Sequence, residues 1–180
     1  MAAWVNRGVV LAVLAATVLV GCTGPGIGIN QPSAAAAASP PVGLTPAIDA
    51  ARAVIATGVA SSGFTLTENP GTYAPGEPQP IQALPRDVYQ LNFGGPNEGN
   101  VVIYDAGSND AALNDGAAFA EYLRTFGRSN YPGDSKFTLN AIGNALVFFW
   151  WSPSTSTQAD RAAQAFDLLA PLGQPIPVVL

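Results

Sequence analysis

The stretch DVYQLNFGGPNEGNVVIY, residues 87–104, decides the fold. Over 87–93 apolar and polar residues alternate, which puts Tyr89, Leu91 and Phe93 on one face of a strand. GGPNEG at 94–99 is rich in turn formers. Residues 100–104 return, with Val101 and Ile103 on one face and Val102 and Tyr104 on the other. Two alternating runs joined by such a turn are expected to pair antiparallel.

Downstream, a helix is predicted over 110–126. Ser108 or Asn109 caps it, and Asp110 sits near its positive end. Leu113, Ala117, Phe119, Ala120, Tyr122, Leu123 and Phe126 give it a broad apolar face, and Gly127 ends it. The turn YPGD, 131–134, then leads into a second hairpin: a strand over 136–139, a turn NAIGN at 140–144, and a strand over 145–151. The last strand reads ALVFFWW, which predicts a central strand covered on both faces. A third helix is predicted over 157–170, with Thr157 and Asp160 as a capping box and Ala162, Phe166, Leu169 and Ala170 facing inward. Pro171 and Gly173 close it, and a proline-containing tail follows.

Upstream, Thr45-Pro46 opens a helix as an N-cap followed by proline at the first position. Ile48, Ala51, Ile55 and Val59 form its apolar stripe, and Gly58 or Gly63 stops it. A short strand is predicted over 64–67. Residues 68–86 carry Pro70, Pro75, Pro78, Pro80 and Pro85, which exclude a regular helix and any central strand. A loop of this length is often functional. Strands arriving in hairpins, rather than singly between helices, predict an α+β fold. It has an antiparallel sheet built from two hairpins, with about three helices packed mainly on one face.

The N-terminus reads MAAWVNRGVVLAVLAATVLVGC. Arg7 supplies a positive start, and residues 8–20 form an apolar run shorter than the ~20 residues that a spanning helix needs. Leu19-Val20-Gly21-Cys22 resembles the lipobox of bacterial lipoproteins. The resemblance implies diacylglyceryl transfer to the Cys22 thiol and cleavage between Gly21 and Cys22. Residues 23–44 are dominated by Gly, Pro, Ser and Ala and carry no charge, as a tether would. The expected organisation is a signal peptide at 1–21, a lipidated cysteine and flexible tether at 22–44, and a single α+β extracytoplasmic domain at 45–180. The chain as a whole resembles bacterial lipoproteins with a lipobox, a low-complexity tether and a small C-terminal α+β domain. That resemblance implies residence on the extracytoplasmic face of the bacterial cell membrane, and it carries no activity with it.

Composition removes several function classes. The chain has 7 basic and 12 acidic residues, and removal of 1–21 takes away only Arg7 among them. The acidic balance does not suit a nucleic-acid partner, which needs a basic stripe. There is no histidine and one cysteine, so intrachain disulfides, thiolate zinc sites and imidazole chemistry are absent. No cofactor motif is present.

Three groups of residues merit a chemical reading. Asp105, Asn109, Asp110, Asn114 and Asp115 are oxygen-rich, but their spacing is not that of a calcium loop, and helix capping accounts for them. Ser135-Lys136 lie next to each other on a strand and so point to opposite faces, which does not make a serine–lysine pair. Trp150 and Trp151 also point opposite ways, so one is expected inside and one outside.

The expected function is a non-enzymatic, lipid-anchored binding or interaction module with an envelope protein or glycan as partner. Its contact surface would be Trp150, Trp151 and Tyr73 of the 68–86 loop, and replacement of Trp151 would then leave the fold intact. The alternatives are an envelope-polymer hydrolase using paired carboxylates, with Glu68, Glu77 and Asp105 as its nearest candidates, and a purely structural lipoprotein. No catalytic residue and no metal ligand is expected.

Overall fold

The computed structural model describes residues 44–69, 76–93 and 98–180. The signal and lipobox residues, Cys22, the tether, Tyr73 and the tip of the first hairpin lie outside the described residues. The order is α1 (Pro46–Ala60), β1 (Leu66–Glu68), α2 (Gln79–Gln82), β2 (Arg86–Leu91), β3 (Asn100–Asp105), α3 (Asn109–Thr125), β4 (Lys136–Ile142), β5 (Ala145–Trp151), α4 (Ala159–Leu169) and β6 (Gln174–Ile176). A 3-10 turn at Gly127–Asn130 follows α3.

The fold is α+β, and every strand pairing is antiparallel. The six strands run in the order β1-β2-β3-β5-β4-β6. The two expected hairpins, β2–β3 and β4–β5, form the middle of the sheet and meet along β3 and β5. The first keeps the expected faces: Tyr89, Leu91, Phe93, Val101 and Ile103 share one core, while Val102 and Tyr104 enter the other. In the second, β4 runs three residues beyond Leu139, and the turn is Gly143-Asn144 alone. Gly143 has φ +59°, a conformation suited to a two-residue hairpin turn.

Helices cover both faces. Ile48, Ala51, Ile55 and Val59 of α1 join Ala162, Ala165 and Leu169 of α4 over Val147, Phe149 and Trp151. Phe119 and Leu123 of α3 pack over Leu146, Phe148 and Tyr104. Two of the three longer helices therefore share a face, and α3 takes the opposite one, because β5 is apolar on both sides and each side needs cover. The expected caps at Thr45 and Ser108 form: Thr45 Oγ1 accepts from the Ile48 amide at 3.3 Å, and Ser108 Oγ from the Ala111 amide at 3.1 Å.

Other local expectations give way to tertiary packing. The face of α3 turned to the sheet is Ala112, Gly116, Phe119 and Leu123, and Phe126, beyond the last turn, is 76% exposed. The proline-rich segment holds a one-turn helix, α2, with Pro80 in its first turn, where its missing N–H costs nothing. The proline-containing tail forms an edge strand: β6 pairs with β4, with Pro175 opposite Asn140, and edge position makes the proline tolerable.

Asn140 ties that corner together. Its buried side-chain amide donates to the carbonyls of Leu169 at 2.7 Å and Leu172 at 2.8 Å, tying the end of α4 and the turn after it to β4. Gly173 follows with φ +68°, and a Cβ there would overlap the Ala141 carbonyl. Gly173→Ala is therefore expected to cost about 2 kcal/mol or more. The check is the midpoint of urea unfolding, and an unchanged midpoint would show that this corner relaxes freely.

Candidate functional site

The C-terminal end of β5 carries the two tryptophans and runs into the loop SPSTST, 152–157. Trp150 is half-buried on the α3 face, with its ring 5.1 Å from that of Tyr131. Trp151 points the other way, as strand alternation requires, and is only 8% exposed. It packs into the α1/α4 core, and the Lys136 ammonium lies 5.7 Å from its ring. Neither indole is a broad exposed platform, and the two side chains enter different cores.

Two carboxylates from separate loops hold the 152–157 loop. Asp134 accepts from the Ser152 hydroxyl at 2.5 Å, the Ser154 amide at 2.7 Å and the Ser154 hydroxyl at 2.9 Å. The Ser152 bond, reinforced by Ser154, keeps the Asp134 carboxyl below the usual aspartate range. Glu98 accepts from the Thr157 amide at 2.9 Å and from the hydroxyls of Ser156 and Thr157. Thr157 is thereby engaged by Glu98, and Gln158 rather than Thr157 precedes α4, so the expected capping box does not form. A partner distant in sequence outcompetes the local acid.

Beneath this loop lies a cleft with about 300 Å³ of empty space counted to its open mouth. It is narrow and seats about one water-sized group at a time. Phe93, Trp150 and Trp151 supply apolar lining, and Glu98, Asn100 and Ser152 supply polar lining. The indole Nε1–H of Trp151 is buried and has no acceptor among the described residues. A buried donor without a partner costs about 1–3 kcal/mol, so its persistence needs a reason.

The other candidates stand apart. Glu77 of the proline-rich segment is buried, bonded to the Tyr104 hydroxyl at 2.7 Å and to the Arg86 guanidinium at 2.5 Å. Burial pushes its carboxyl up, against the opposing pull of Tyr104 and Arg86. This trio pins the segment to the sheet. Asp105 accepts from the Gly107 amide, and Asn109 donates to the Gly143 carbonyl, so both work in local turns. Burial raises the Asp115 carboxyl. Among the described residues no group of three or more Asp, Glu, His or Cys is arranged to hold a metal ion. Lys136 is turned to Trp151, and Ser135 is buried, its hydroxyl without a partner among the described residues. Glu98 and Asp134 are the residues that sequence reasoning misses. Both sit in turns, and nothing local marks them as loop clamps.

No family model, no curated protein and no solved structure matches the chain.

Burial makes Trp151 part of the core, so Trp151→Ala is expected to cost about 3–5 kcal/mol rather than leave the fold intact. Chemical denaturation measures this directly, and a loss below ~1 kcal/mol would place the indole at the surface. Glu77 gives a pH test. Its folded carboxyl sits above the ordinary value, so its contribution to stability is full below that ordinary value. It is lost as pH rises through the raised one. Relative to Glu77→Gln, the wild type is expected to lose thermal stability between acid and neutral pH. A constant gap between the two proteins would mean that Arg86 and Tyr104 fully offset burial, and a gap that moves the other way would mean that they outweigh it.

Proposed function

We propose that this protein is a lipid-anchored binding or interaction module on the extracytoplasmic face of a bacterial cell membrane. Acyl chains on Cys22 hold it there, and residues 23–44 act as the spacer. The anchor rests on Leu19-Val20-Gly21-Cys22 at the end of a short apolar run. Two or three acyl chains suffice for stable attachment, since each buried CH₂ contributes ~0.8 kcal/mol. Among the described residues no helix is long and apolar enough to cross a membrane.

The observation that carries the binding half is the cleft at the end of β5. Its wall is braced by Asp134 and Glu98, and Trp151, whose buried indole N–H has no acceptor among the described residues, is one of the residues lining it. Rigid walls and a few unsatisfied polar groups are what a binding site requires. The carboxylates nearest to hydrolytic chemistry have other engagements: Glu77 with Arg86 and Tyr104, and Glu98 and Asp134 with the 152–157 loop. That favours binding over hydrolysis by a carboxylate pair.

Metabolic labelling with a palmitate analogue is expected to mark the wild type and not Cys22→Ala, and the variant is expected to leave the membrane fraction. Label retained on the variant would remove the anchor. Crosslinking in cells, followed by mass spectrometry, is expected to capture an envelope component with the anchored protein and not with Cys22→Ala. Capture of nothing by either form would turn the reading toward a purely structural lipoprotein.

A further inference from the structure

We infer that the end of the domain bearing Phe126 docks on the anionic lipid surface to which the protein is anchored, with Phe126 as the inserting side chain and the acidic opposite end turned away. The inference rests on the lipid anchor proposed above, not on the cleft, and adds how the domain meets the membrane.

Among the described residues Phe126 is the one large aromatic side chain left in water, at 76% exposure. It closes α3 two residues before Arg128, whose guanidinium donates to the carbonyls of Gly133 and Ser135 and lies 5.5 Å from the Phe137 ring. Phe126 therefore lies at the end of the sheet where β4 starts. Ile176 pairs with Leu139, so the antiparallel chain after β6 runs toward the same end, where Val179 and Leu180 are exposed. Of the large exposed apolar side chains among the described residues, only Leu44 and Val54 lie elsewhere. A stable protein interface needs roughly 1,000 Å² of matched surface, whereas a bilayer takes up single apolar side chains.

Charge sets the direction. At the far end Asp105 lies opposite Ala145, and Asn109, at the start of α3, donates to the Gly143 carbonyl. The cations on that side, Arg52 and Arg86, are already paired with Asp49 and Glu77, so Asp87, Asp105 and Asp110 have no ion-pair partner among the described residues. At the Phe126 end Arg124 is paired with Glu121, and Arg128, Lys136 and Arg161 offset Glu98, Asp134 and Asp160. An anionic surface acts over about 8 Å at physiological salt, so it repels the acidic end and admits the balanced one. Residues 23–44 span at most about 75 Å, so the anchor keeps the domain beside the bilayer. Contact is then intramolecular, and one aromatic side chain suffices where free association would need more.

The test uses the anchored protein, purified from membranes and reconstituted in vesicles of equal parts phosphatidylcholine and phosphatidylglycerol. Lipidation blocks the Cys22 thiol, the only one in the chain, so a thiol-reactive fluorophore marks an introduced cysteine alone. Ser129→Cys puts the label beside Phe126, whose carbonyl the Ser129 hydroxyl reaches, and Asn144→Cys puts it at the acidic end. Both positions are exposed. The label at position 129 is expected to shift blue and to be quenched by doxyl-bearing lipid, and the label at position 144 to do neither. Phe126→Ser is expected to abolish the quenching while leaving thermal unfolding unchanged. In phosphatidylcholine alone the contrast between the two positions is expected to shrink.

A label at position 129 that doxyl lipid leaves bright overturns the proposal, as does equal quenching at both positions or quenching that survives Phe126→Ser. A contrast just as large in phosphatidylcholine alone overturns the part assigned to charge. Wild type that floats with the vesicles and takes no label, beside a position 129 label that stays in water, keeps the anchor and sinks only the docking. That outcome would leave this end to a protein partner. Wild type that takes the label at Cys22 and stays out of the vesicles would end both readings.

Discussion

Strand β5 places large apolar side chains on both of its faces, and each face must be kept from water. Leu146 and Phe148 look toward α3, while Val147, Phe149 and Trp151 look toward α1 and α4. Burying a side chain of this size contributes about 1.5–3 kcal/mol, so exposing either face would forfeit much of the stability of a domain this small. The strand consequently sits inside the sheet, between β3 and β4, with helices above and below. The position of α3 follows from this. Gly116 lets the helix come close: a Cβ there would overlap the end of the Ile176 side chain and press on Leu146. The short tail strand β6 is thereby held under α3 as well as beside β4.

The same strand sets the candidate site. β5 ends in two tryptophans that alternate between the cores, and the chain then leaves the sheet as a serine- and threonine-rich loop. Such a loop has many donors and no sheet partner. Asp134, just before β4, and Glu98, just before β3, accept those donors. The loop becomes a wall of the cleft that Trp151 also lines, and the buried indole donor of Trp151 has no acceptor among the described residues. The cleft is thus a consequence of how a fully apolar strand is terminated.

Much of the fold is legible residue by residue. Thr45 and Ser108 cap helices where their types predict, and Ile48, Ala51, Ile55 and Val59 all face the core. The alternation around 87–104 places each named side chain on its correct side. The departures share a cause. Phe126 is apolar, but lies past the turn of α3 that meets the sheet. Thr157 has a local acid at Asp160, yet binds Glu98 from another hairpin. Gln174-Pro175-Ile176 has a proline at its centre and pairs with β4 because that edge is open to it. The candidate site is less legible still: Trp150 and Trp151 are visible in the sequence, but Glu98, Asp134 and the cleft are not.

By itself the sequence determined the local matters: which segments are helix or strand, how they are capped, and which side of each is apolar. Those depend on residue type and on periods of two and about 3.6, both of which can be read within a few positions. Only the tertiary structure decided the strand order, the face taken by α3, the pairing of the tail, and the partners of Glu98, Asp134 and Asn140. These are contacts between residues far apart in the chain. Their energy depends on which apolar faces meet and which buried polar groups are left to be satisfied once they do.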